Sequence, residues 1–67
     1  GQVLAEFVVD TTGFARMETF RVLKSDHDLF TSAVRRSLER MRFLPAEAGG
    51  SKVPQLVQQT FQFALMR

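Results

Sequence analysis

The sequence predicts an α+β fold. A two-layer sandwich is expected, in which a three-stranded antiparallel sheet of order 2-1-3 carries one helix on one face, with chain topology β-β-α-β. Three features predict it. Residues 1–10 alternate apolar and polar side chains and run into a glycine turn. Residues 29–41 carry apolar side chains three and four positions apart. Residues 53–66 alternate again, over a stretch without a single charge.

In the first segment Val3, Ala5, Phe7 and Val9 fall on one face, with Gln2, Glu6 and Asp10 on the other, which is the pattern of a half-buried strand. Leu4 and Val8 interrupt the polar face and predict partial cover there. Asp10-Thr11-Thr12-Gly13 is a turn in which glycine supplies the positive φ that closes a hairpin. Residues 14–24 return as the second strand, with Phe20 and Val22 inward. Alternation is poor around Met17 and Glu18, so a bulge or an irregular start is expected there.

Ser25-Asp26-His27-Asp28 opens the helix: short polar side chains accept the orphan amides of the first turn, and both aspartates meet the positive end of the dipole. Leu29, Phe30, Ala33, Val34, Leu38 and Met41 form one apolar stripe, opposite Thr31, Ser32, Arg35, Arg36, Glu39 and Arg40. Pro45 is expected to stop the helix, since the residue before a proline leaves the α region. Residues 48–52 read as a loose turn into the last strand.

A helix of about fourteen residues is long enough for a crossover between parallel strands. Strands 2 and 3 then run the same way and strand 1 opposes both, so placing strand 1 between them leaves strand 3 at an edge. The expected core is Val3, Phe7, Val9, Phe20, Val22, Phe30, Val34, Leu38, Phe43, Val57, Phe61 and Phe63.

Composition narrows the function. Sixty-seven residues make one domain, and a chain of this size buries only about 60% of its unfolded surface. Without cysteine it has neither a disulfide framework nor a thiolate metal site. It begins at Gly1 and holds no apolar run long enough to span a bilayer, and is expected to be a domain of a longer protein. The net charge of +2 and pI of 9.9 come mainly from Arg35, Arg36, Arg40 and Arg42, cations that complement a helix C-terminus.

No catalytic constellation is present. His27 is the single histidine, set in a polar segment where a solvated role is expected. Glu6, Asp10, Glu18, Glu39 and Glu47 are scattered over different elements, and Gly49-Gly50 lacks the context of a phosphate loop. The chain is expected to be no enzyme and to need no cofactor or metal. Arg35, Arg36 and Arg40 share a face that could neutralise phosphates, but base stacking requires exposed aromatics, and the phenylalanines are assigned mostly to the core. No nucleic-acid partner is expected.

Strand 3 is the informative element. Soluble proteins blunt an open edge with Lys, inward charges, bulges or Pro. Here only Pro54 protects, so the edge is expected to be occupied.

Residues 1–10, Gly13, Val22-Leu23-Lys24-Ser25 and the run Arg40-Met41-Arg42-Phe43-Leu44-Pro45-Ala46 followed by Gly49-Gly50 resemble the C-terminal domain of TonB-family energy transducers. The resemblance covers essentially the whole chain. Met41 stands where some members carry Trp, Phe43 replaces Tyr, and the hairpin between Gly13 and Ser25 is longer than in some members. The resemblance implies a periplasmic domain of a Gram-negative inner-membrane-anchored protein, joined through segments outside this sequence to a motor driven by the proton-motive force. Its partner would be the Ton box, a short extended segment of an outer-membrane transporter.

Strand addition supplies the mechanism, with main-chain bonds giving affinity and alternate side chains specificity. The expected edge comprises Val53, Gln55, Leu56, Val57, Gln58, Gln59, Thr60 and Phe61, supported by Arg40, Arg42, Phe43 and Pro45. The same edge could pair with its own copy as a homodimer, burying Leu4, Val8, Leu56 and Met66. An envelope self-association module is therefore the alternative reading, and a basic nucleic-acid-binding domain using Arg35, Arg36 and Arg40 ranks third.

Overall fold

The elements are β1 (Gln2–Val9), β2 (Ala15–Ser25), α1 (Asp28–Leu38), β3 (Ala46–Ala48), β4 (Ser51–Val53) and β5 (Gln55–Gln62). They come from a computed structural model that describes residues 1–64; Leu65 and Met66, assigned above to the last strand, lie outside the described residues. The main sheet is antiparallel and ordered β2-β1-β5, the arrangement expected for strands 2-1-3, and α1 lies over β1 and β2. The fold is the α+β sandwich predicted, with a second, two-stranded sheet added.

Alternation in β1 builds the core. Val3, Ala5, Phe7 and Val9 are buried beneath Val34 and Leu38 of α1. Phe20, Phe30, Phe43, Val57, Phe61 and Phe63 pack around this centre only half-buried, joined by Ala15, Met17 and Met41. Phe43 sits 5.5 Å from Phe7, and Phe30 stacks on Phe63 at 4.7 Å.

Val22, expected inside, is 38% exposed. Leu4 pairs with Lys24 and Ala5 with Val22, so Leu23 is an extra residue that bulges from β2 beside Val22 and breaks the regular pairing there. A larger irregularity falls where the alternation failed. Glu6 pairs with Arg21 and Val8 with Arg16, a step of two residues on β1 against five on β2. Thr19 closes the gap: its hydroxyl accepts from the Val8 N–H at 2.9 Å and donates to the Arg16 carbonyl at 2.6 Å.

The helix is shorter than expected, at 11 residues, and Pro45 does not end it. The chain leaves the helix because Phe43 is held by tertiary contacts: its N–H donates to the Gly13 carbonyl at 2.7 Å, and Arg42 bridges to Phe14. Arg35 and Arg36 therefore occupy the last turn, while Arg40 and Arg42 lie beyond it. The apolar stripe is also narrower, since Leu29 is 71% exposed and Ala33 is exposed. The N-cap is His27, whose Nδ1 accepts from the Leu29 N–H at 3.0 Å. Asp26, expected at the helix start, instead accepts from the Gln2 N–H at 2.7 Å.

The loose turn of residues 48–52 is a formed hairpin. Gly49 and Gly50 both take positive φ, 59° and 82°, the pair of left-handed residues a tight turn needs between β3 and β4. Val53 pairs with Ala46 in this hairpin and so belongs to β4, and Pro54 separates it from β5.

Candidate peptide-binding edge

β5 pairs with β1 from Gln2↔Gln62 to Val9↔Gln55 without a register shift. The parity of the ladder follows from four bonds. Gly1 and Phe63 exchange both main-chain bonds at 2.8 Å, so odd-numbered residues of β1 face β5. On the other side, the N–H groups of Gln2 and Val8 donate to Asp26 and Thr19, so even-numbered residues face β2.

Carried along the register, this parity turns the main-chain groups of Gln55, Val57, Gln59 and Phe61 toward β1. Those of Leu56, Gln58, Thr60 and Gln62 point outward. Among the described residues no strand occupies that side.

The opposite edge is protected. β2 carries Arg16, Glu18, Arg21 and Lys24 and is broken by two register shifts, with Arg16 and Glu18 paired at 2.9 Å. β5 has neither charges nor breaks.

The two faces of β5 differ. Val57, Gln59 and Phe61 share the face of the buried residues Phe7, Ala5 and Val3 and are half-buried. Leu56, Gln58, Thr60 and Gln62 lie on the open face; Leu56 is 60% exposed, and the Gln58 amide donates to Glu6 at 2.9 Å. The residues expected to support the site are dispersed. Phe43 packs beneath the sheet on Phe7, the cross-strand partner of Val57. Arg42 lies toward β2, its guanidinium 5.1 Å from the Phe14 ring. Arg40 is exposed in the turn after α1, and Pro45 immediately precedes β3.

At the hairpin between β1 and β2, Asp10 organises the turn. Its carboxylate accepts from the Thr12 hydroxyl and from the amides of Thr12 and Phe14, bonds that hold it below the usual carboxylate range, the Thr12 hydroxyl foremost. Among the described residues no group of carboxylates, histidines or cysteines could hold a metal ion. A shallow, open depression on the outer surface of α1, lined by Ser32, Arg35, Arg36 and Glu39, follows a single helix face.

The outward parity of Leu56, Gln58, Thr60 and Gln62 escaped the sequence reading because alternation reveals side-chain faces, whereas main-chain direction depends on which neighbour a strand pairs with. Chain and edge together define an α+β sandwich with one guarded and one open sheet edge. Compared with known proteins, the chain matches no family model, no curated protein and no solved structure.

Proposed function

We propose that the protein is the Ton box-binding domain of a TonB-family energy transducer. It works in the periplasm as part of an inner-membrane-anchored protein and takes an extended transporter segment onto β5 by strand addition. Force derived from the proton-motive force then passes to the transporter through the added strand. The observation that carries this reading is the eight-residue, uncharged and unbroken outer edge of β5, with the main chain of four alternate residues directed outward. The contrast with β2 supports it, because the same sheet protects one edge by charge and bulge and leaves the other open.

Each main-chain bond to an added strand contributes about 1 kcal/mol net. Such bonds depend little on the identity of the bound side chains, as suits a grip that serves more than one transporter. Titration with Ton box peptides, followed by amide chemical shifts, tests the proposal. Shifts and new exchange protection are expected first at Leu56, Gln58, Thr60 and Gln62. Changes confined to β2 or to the outer face of α1 would reject β5 as the binding edge.

A further inference from the structure

We infer that Gln59 sets side-chain specificity at this edge: the added segment carries a hydroxyl or amide side chain beside Gln59, flanked two residues to either side by apolar side chains beside Val57 and Phe61. The inference rests on the reading of β5 as a peptide-binding edge.

An added strand alternates faces as β5 does, whichever way it runs. Its side chains on the helix side therefore lie next to the row Val57, Gln59 and Phe61. That face is only partly covered, because α1 lies over β1 and β2. Gln59 is the polar member of an otherwise apolar row and is half-buried opposite Ala5, the smallest side chain in the buried row of β1.

Its amide differs from that of Gln58, which donates to Glu6. No side-chain hydrogen bond engages the Gln59 amide among the described residues, and its half-buried position leaves it to solvent water. A strand laid along β5 displaces that water. An apolar side chain beside Gln59 would leave the amide without a partner, a costly burial. A Thr, Ser, Asn or Gln side chain restores the bond. Val57 and Phe61, each half-buried and apolar, favour apolar neighbours for the opposite reason.

Two blocked peptides test this on the intact chain, one with a Val-Ser-Thr-Ser-Val core and the other with Val-Ser-Val-Ser-Val. Threonine and valine are nearly equal in shape, so the comparison isolates the hydroxyl. The threonine peptide is expected to bind about fivefold more tightly, the value of one hydrogen bond. In Gln59→Leu the preference inverts. In Gln59→Ala, which also removes the acceptor, the preference is lost, so a folding defect in one of these two variants leaves the other decisive, while in Gln59→Glu it persists because the carboxylate still accepts from the hydroxyl. If both peptides shift Leu56, Gln58, Thr60 and Gln62 but their affinity ratio is the same in Gln59→Leu as in the unmodified chain, the specificity role is wrong and the edge reading stands. If neither peptide moves these amides, the edge reading fails and the specificity role fails with it.

Discussion

Gly13 and Phe43 meet backbone to backbone. The Phe43 N–H donates to the Gly13 carbonyl at 2.7 Å, and a β-carbon placed on Gly13 would fall on the Phe43 carbonyl oxygen. Gly13 also holds φ at 92°, where side chains are strained. The contact fixes the first hairpin to the segment that brings Phe43 over Phe7. Gly13→Ala is therefore expected to destabilise the fold by about 2–3 kcal/mol. Gly49, at φ 59° with open space around it, is the control, and Gly49→Ala is expected to cost about 1 kcal/mol. Urea unfolding of the two variants tests the pair, and equal losses would deny the contact its role.

Ladder parity makes neighbouring positions respond differently to proline. Gln58→Pro deletes an outward N–H and preserves the main-chain bonds to β1, losing besides only the exposed side-chain bond to Glu6, so the protein is expected to fold while peptide binding falls sharply. Gln59→Pro deletes an inward N–H and should cost on the order of 2 kcal/mol of stability. Unfolding midpoints and peptide titration of both variants are the measurement. Normal binding by a folded Gln58→Pro protein would exclude this edge.

The open edge can also receive a second copy. Thr60 lies outward and exposed within β5, and a lysine there puts a charge on the edge that a second copy of β5 would have to cover. The unmodified chain is expected to gain mass with concentration in sedimentation experiments, and Thr60→Lys to remain monomeric. A monomer throughout the high micromolar range for both would remove self-pairing.

Strand order was legible in the chain because alternation, a hairpin glycine and the crossover rule leave few arrangements. The open edge was legible from the missing charges between Val53 and Gln62. Features set by distant partners were not. Nothing local says that Phe43 binds Gly13, so Pro45 looked like the helix stop. Nothing in the sequence near Val22 shows that Leu23 bulges. His27 is exposed, as its polar setting suggested, but its capping role was hidden because it depends on an extended backbone at that residue, with φ −161° and ψ 143°. The β3–β4 hairpin was hidden for a simpler reason: strands of three residues are too short to display a period.

Acid should loosen the first hairpin. The carboxyl of Asp10 titrates below the usual range in the folded chain, through the Thr12 hydroxyl first and then the Phe14 amide. A carboxylate depressed by folding adds stability above its unfolded value of about 3.9, and that contribution disappears as pH falls through the lower folded value. Asp10→Asn removes the titration. Between pH 5 and the acid limit, roughly pH 2, the unmodified chain should therefore lose more stability than Asp10→Asn. Parallel acid profiles for the two proteins would show that the turn bonds do not favour the charged form.

Thr19 offers the sharpest test of the irregular pairing between β1 and β2. At the gap left by the five-residue step, its one hydroxyl accepts from Val8 and donates to Arg16, replacing main-chain partners that β2 cannot supply. Thr19→Val keeps the shape and β-branching of the side chain but leaves the part-buried Val8 N–H without its acceptor, at a cost of about 2 kcal/mol. Thr19→Ser retains the hydroxyl and should stay within about 1 kcal/mol of the unmodified chain. Amide exchange locates the effect: in Thr19→Val the protection of Val8 should fall more than that of Val3 or Phe7, whose N–H groups face β5. Uniform loss across β1 would instead mean that Thr19 acts through general packing, and the hydroxyl bridge would lose its assigned part in holding the bulge.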